Sequence, residues 1–353
     1  MRRVCLLLLS LSFPLLAQSQ TRTVRIGVLG IFHPRELTIA ADPTGELLIS
    51  AGGERIFLKA GSSCSLLRVR SAGDNLLLNC GGGGIRVGEL HVSGRNQQAA
   101  GVVVTLPGKI RRRYLGTLEL KAKNGELLPI ISMDLETAVA SVVQAETTPG
   151  TPLEALKAQA VVSRSYFVSG GGRHADFDFC DLTHCQYLRE PPAPDSPAAN
   201  AALSTRALVL TYEEKPVTAM FTRSCGGRTR TPAEIRVSQK GYPYFSVHCD
   251  FCYSDPHRWT RKVSREDAAL LMLRGENGRL AIGRRLGWDA VPSNNFSAQE
   301  AGGEVTLRGV GQGHGVGLCQ RGARGMAESG SDFRAILEHY FPNTRMETFP
   351  SAP

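Results

Sequence analysis

One carboxylate, a set of histidines and cysteines, and a glycine-flanked histidine are the residues whose types and spacing could do chemistry. Glu146 ends an apolar helical pattern that starts near Asp134. Beyond a Thr-Thr-Pro-Gly-Thr-Pro break, a second helical pattern carries Lys157 and Arg164, seven residues apart and so on one face. A single carboxylate could therefore face two cations across a tight corner. The two environments have opposite consequences. A salt bridge depresses the acid, whereas apolar burial raises it towards the range of a general acid.

The stretch 174–185 holds His174, Cys180, His184 and Cys185, donors that suit a tetrahedral zinc ion. Adjacent His184 and Cys185 cannot easily both reach one ion, so two or three of the four form the expected shell. A Cys180–Cys185 disulfide, or a Cys–His nucleophile, is the alternative. A second set comprises Cys225, Cys249, Cys252 and Cys319, with His248 and His257 nearby. C-x-x-C without a second such pair is a weak metal signal, and the expectation here is two disulfides. Cys64 and Cys80 are expected to staple a hairpin. Five glycines surround His314 in 309–317, which lets the backbone approach a ligand or turn sharply beneath a helix. The run 81–84 has the glycines of a phosphate loop but neither its lysine nor its helix.

The elements that must position these groups can be read in order. Residues 21–130 alternate polar and apolar in short runs separated by Gly, Asn and Asp, the pattern of strands and turns. The second helix of the central corner has Thr151 as N-cap, Pro152 in its first turn and Glu154 to close a capping box. Ser196-Pro197 starts a further helix. Residues 208–212 and 217–221 read as a hairpin. Helices are expected from about Ser264, from the glycine-rich stretch to Glu328, and from Ser331 or Asp332 to His339. The fold class is α+β: helices and mainly antiparallel strands around a groove, with a smaller N-terminal β domain at 20–112 and the main domain at 113–350.

With 42% hydrophobic and 21% charged residues, the 353-residue chain is globular and can bury a sizeable core. Arg2 and Arg3 precede an apolar run that ends in Leu-Leu-Ala-Gln. That is a secretory signal over 1–19, too short for a comfortable membrane span. The mature chain is thus expected to be exported, to the periplasm, wall or medium, with no integral span. The formal charge of +9 falls to about +7 without the two signal arginines. No basic stretch interleaved with aromatics points to nucleic acid, and an anionic wall polymer is the favoured partner.

From about Tyr114 to Met346 the chain resembles the SpoIID (stage II sporulation protein D, LytB or amidase-enhancer) family. The resemblance rests on VVQAE with PLEALKAQAVVSRSYF, then CDLTHCQ, then FTRSCGGRT, and GHGVGLCQRGA with ILEHYF, in that order. Two details depart from the family pattern: Thr147 stands where Met is frequent, and Cys225 replaces the second Ser of S-x-S-G-G. The segment from about 263 to 303 also matches poorly.

The resemblance implies a peptidoglycan lytic transglycosylase that cuts between N-acetylmuramic acid and N-acetylglucosamine and leaves 1,6-anhydro ends. It makes Glu146 the catalytic acid. Lys157 and Arg164 would line the same groove, and Ser224, Thr229, His314 and Gln320 its other wall. It also implies a structural zinc on His174, Cys180, His184 and Cys185. The alternative is a non-catalytic wall-binding module that stimulates a separate cell-wall amidase.

Overall fold

The computed structural model describes residues 22–170, 174–183, 185–239 and 241–349. The expected signal at 1–19 and His184 lie outside the described residues. The fold is α+β, as expected. The helices described are α1 Leu135–Glu146, α2 Leu153–Ser169, α3 Pro197–Ser204, α4 Asp250–Ser254, α5 Arg265–Arg274, α6 Glu276–Leu286, α7 Gln320–Glu328 and α8 Phe333–Tyr340.

Alternation decides the N-terminal strands. In Asn75–Asn79, Leu76 and Leu78 are buried while Leu77 is exposed. Twelve strands join in one curled sheet. Its spine is Ile110–Lys123, whose first half pairs antiparallel with Ala100–Leu106 and whose second half pairs with Glu126–Asp134. Gly116 marks the change of partner, where a Cβ would lie 2.4 Å from the Ser132 carbonyl oxygen. Only glycine allows so close an approach. Thr23–Gly27 also pairs with Glu126–Asp134, and one hydrophobic core runs from the N-terminal strands to α1 and α2. The boundary expected at 112–113 therefore falls inside a strand, with no break in the sheet there. Cys64 and Cys80 are disulfide-linked and flank the hairpin of Leu67–Ala72 and Asn75–Asn79.

α1 begins at an N-cap, where Asp134 accepts hydrogen bonds from the Glu136 and Thr137 N–H groups. α2 begins differently from expectation. The Thr151 hydroxyl donates to the Thr148 carbonyl at 2.7 Å, and Glu154 accepts from the Phe333 N–H at 2.9 Å. The capping box is replaced by a bond to the start of α8. α2 then packs on two sides: Leu156, Ala160 and Phe167 face the sheet, while Ala158, Val161 and Val162 face a second core. A helix apolar nearly all round belongs in the interior.

The expected hairpin is shortened to Leu208–Tyr212 against Lys215–Pro216. Phe221–Thr222 instead pairs in parallel with Leu318–Cys319. That pairing brings the S-C-G-G loop to the G-H-G-V-G stretch, although nearly a hundred residues separate them in sequence. Between them, Arg258–Val263, Phe296–Ala301 and Glu304–Val310 make a three-stranded sheet that packs with α5 and α6 around its own small core.

Candidate functional site

Glu146, the last residue of α1, stands where two lobes of a groove meet. One lobe, of about 460 Å³, is lined by Gln159, Ser224, Phe251 and Arg321 among others. The other, of about 310 Å³, has Tyr166, Phe221, Trp288 and His314 on its walls. Arg223, Gln312 and Gln320 line both lobes beside Glu146.

Among the described residues, the Glu146 carboxylate accepts one hydrogen bond, from the Tyr187 N–H at 3.1 Å. Desolvation by the surrounding groove walls pushes its pKa up to about 7, against the opposing pull of that N–H and of Arg223 and Arg189. Its place at the C-terminal end of α1 acts in the same sense, because the helix dipole there disfavours negative charge. A carboxyl that titrates near neutrality can both give and take a proton there. The groove's other two carboxylates, among the described residues, are tied up: Glu328 accepts from Arg324 at 2.7 Å, and Glu276 accepts from Arg279 at 2.7 and 2.8 Å. Burial would raise Glu276, yet the Arg279 guanidinium holds it below its ordinary range.

Ser224, His314 and Gln320 line the groove with Glu146. Gln320 Nε2 donates to the Glu146 carbonyl oxygen at 3.1 Å and to Gln159 Oε1 at 3.3 Å, fixing the end of α1 against α7 and α2. Ser224 is locked by backbone bonds to Gln312 in both directions. His314 accepts the Val316 N–H at Nδ1 (3.0 Å), and desolvation keeps its imidazole below the ordinary range despite Glu276 nearby. It is therefore a neutral group at pH 7.

Lys157 and Arg164 are not brought to Glu146. Lys157 Nζ pairs with Glu154 at 2.6 Å, one turn away on its own helix. Arg164 is fully buried and grips Glu136, at the opposite end of α1, at 2.9 and 2.5 Å. Its remaining donors reach the Leu208 and Ala202 carbonyls, both at 3.1 Å. It is a brace between α1, α2 and α3. Thr229 is likewise internal, exchanging hydrogen bonds with Phe245 and Val247.

Two groups of donors converge. His174, Cys180 and Cys185 place their ligand atoms within 4.8 Å of one another, with His174 Nε2 3.4 Å from Cys185 Sγ. The N···S edge of a tetrahedral zinc shell is about 3.5 Å, so these residues fit such an ion. The ion would brace this loop beside Tyr187. The second group departs from expectation. Cys225, Cys249, Cys252 and Cys319 are unbridged thiols, not two disulfides, and all four sulfurs lie within 4.8 Å. This buried cluster could hold a metal.

Some groove residues were not singled out from sequence. Arg223 adjoins Ser224 in the quoted F-T-R-S-C motif, so adjacency alone could have found it. Tyr187 acts through its backbone, which leaves no mark in residue type. Trp288, Glu276 and Arg279 come from the segment that matches poorly, and nothing local announces that it folds back onto the groove.

Comparison with known proteins agrees with the motifs. Residues 123–212 match the SpoIID family model, described as Stage II sporulation protein. An uncharacterized protein of Brachyspira hyodysenteriae is 28% identical over 261 residues, covering 65% of this chain and 70% of that one. The stage II sporulation protein D of Bacillus amyloliquefaciens is 25% identical over 254 residues, 60% of this chain and 73% of its own. The amidase enhancer of Bacillus subtilis is 31% identical over 64 residues, 18% of this chain and 9% of that protein. Residues 123–212 are thus similar to the SpoIID domain, and the chain has homologues named stage II sporulation protein D and amidase enhancer.

Proposed function

We propose that this protein is an exported lytic transglycosylase of peptidoglycan, with Glu146 as its single catalytic acid and base. The observation that carries the reading is a carboxyl held near neutrality at the junction of a two-lobed groove whose other carboxylates are paired with arginines. Ordinary glycoside hydrolysis needs a second free carboxylate to activate water or form a covalent bond. With one, the acid protonates the glycosidic oxygen between N-acetylmuramic acid and N-acetylglucosamine. The resulting carboxylate then takes the proton of the sugar's own C6 hydroxyl as that oxygen attacks C1. The leaving sugar carries away the first proton, and Glu146 ends protonated, ready for another turn.

Around this step, Arg223 would meet substrate carboxylates and Trp288 would offer a flat apolar face to a sugar ring. The neutral His314 imidazole and Gln320 would bind hydroxyl or amide groups. Export is consistent with the expected signal, and no helix among the described residues is long and apolar enough to cross a membrane. The test is digestion of purified glycan strands, with and without stem peptides, followed by mass spectrometry. Anhydromuramyl products from wild type and none from Glu146→Gln are expected; anhydro products that survive in Glu146→Gln would sink the proposal.

The similarity to an amidase enhancer supports a second reading, a wall-binding module that stimulates a separate amidase. It predicts glycan binding and faster amidase turnover with no anhydro product. Running the same digestion with an amidase added separates the two.

A further inference from the structure

We propose that Cys225, Cys249, Cys252 and Cys319 form a four-thiolate zinc centre that clips together the groove wall bearing Arg223, Ser224, Phe251 and Gln320. The centre is separate from the His174–Cys185 donors and stands whatever reaction Glu146 performs.

The geometry is that of a closed shell around one ion. A tetrahedron with zinc–sulfur bonds of about 2.3 Å has edges of about 3.8 Å. Cys252 and Cys319 Sγ are 3.6 Å apart, and all four sulfurs lie within 4.8 Å of one another. A disulfide needs about 2.05 Å between sulfurs, and these four cysteines are unbridged. All four residues are almost fully buried, at 0–2% exposure. Four thiols whose sulfurs converge on one point offer the donor set of a single ion; a dication would offset two of the four thiolate charges, and the N–H and O–H donors around the sulfurs would help to bear the rest.

The surroundings are those of a ligand shell. The Cys225 and Gly322 N–H groups both point at Cys319 Sγ, at 3.3 and 3.4 Å. The Tyr340 hydroxyl lies 3.3 Å from Cys249 Sγ, and the Ser224 hydroxyl 3.5 Å from Cys252 Sγ. Such outer donors orient ligating thiolates. Cys225 opens a turn through Gly226 and Gly227, both at positive φ, and the Gly227 carbonyl accepts the Cys249 N–H at 2.9 Å. Cys249 and Cys252, three apart across the start of α4, present both sulfurs to one side. Gly322 completes the fit: a Cβ there would lie 2.0 Å from the Tyr340 hydroxyl and 2.5 Å from Cys249 Sγ.

The ligands come from three separate segments, and each adjoins the groove. Arg223 and Ser224 precede Cys225. Phe251 lies between Cys249 and Cys252. Gln320, which holds the Glu146 carbonyl, follows Cys319 directly. The Arg321 N–H bonds the Arg223 carbonyl at 3.1 Å, tying two of these segments once more. Removing the ion would leave only the backbone bonds between these segments and so loosen the three walls together.

The experiment begins with metal analysis of the mature chain. In a His174→Ala/Cys185→Ala variant about one zinc per chain should remain, and cobalt substituted for it should show thiolate-to-metal charge transfer of four-sulfur intensity. Cys249→Ser/Cys319→Ser should lose one zinc relative to wild type. Should that variant fail to fold, the cobalt spectrum, which leaves these cysteines untouched, still decides. Non-reducing peptide mapping that finds two disulfides among the four cysteines, or a cobalt spectrum without sulfur charge transfer, overturns the proposal. Metal content and spectra are read without any glycan, so loss of the transglycosylase reading would leave this result unaffected.

Discussion

Glu136 and Glu146 stand ten residues apart on α1 and meet opposite environments. Glu136 lies in the first turn, where the helix dipole favours a carboxylate. It receives two arms of the buried Arg164 and the Ala207 N–H at 3.2 Å. Glu146 lies in the last turn, where the dipole opposes charge, and receives a single backbone N–H. Its nearest cationic influences, Arg223 and Arg189, act at a distance and do not outweigh desolvation. One helix thus carries a structural anion at one end and a protonatable acid at the other. The contrast teaches that a glutamate near arginines is not thereby an ion pair; the partners' own commitments decide.

The comparison can be broken in several places. Glu146→Gln should lower the rate of glycan cleavage by ~10²–10⁴-fold, the usual range for removing a general acid, while binding is retained. Arg164→Leu should cost about 3–5 kcal/mol in urea unfolding, because it leaves Glu136 without its partner in a mostly buried position. A loss of activity without a loss of stability in Arg164→Leu would mean that the residue serves the groove after all.

The pH dependence has a definite sign. The Glu146 pKa is raised from 4.5 to about 7, so the folded state binds the proton more tightly than the unfolded chain. The associated stability is fully present below about 4.5 and is lost as pH rises to about 7. Glu146→Gln should therefore be more stable than wild type by about 1–3 kcal/mol at pH 8, with the difference shrinking towards pH 4, as thermal unfolding across pH would reveal. Cleavage by wild type should fall on the same alkaline limb.

Arg223→Ala removes a cation that lowers Glu146, so that limb should move to higher pH; a downward move would contradict the assignment. The smallest effect is expected for Lys157→Ala, which breaks an ion pair within α2 and should cost about 0.3–0.5 kcal/mol with unchanged kcat.

Much of this molecule was legible in local pattern. The span of α1 from near Asp134 to Glu146 followed from its apolar periodicity, and Ser196 before α3 and Asp332 before α8 follow from short-range hydrogen bonding that a sequence encodes directly. The Thr151–Glu154 box had the right residues and failed, because the α8 N–H at Phe333 offered Glu154 a tertiary partner. The boundary expected near 112 lies within one strand, Ile110–Lys123. A strand long enough to serve two halves of a sheet leaves no compositional mark where it changes partner.

The sequence by itself determined which residues could ionise, ligate or turn: the corner glutamate, the cysteines and the glycine-flanked histidine. Tertiary structure decided their partners. It sent Arg164 to Glu136 and Lys157 to Glu154, gathered Cys225, Cys249, Cys252 and Cys319 from three segments, and left Glu146 desolvated beside Arg223. The physical reason is that caps and periodicity act within a few residues. Burial, by contrast, is set by contacts between segments far apart in sequence, more than a hundred residues in the case of Glu146 and Gln320.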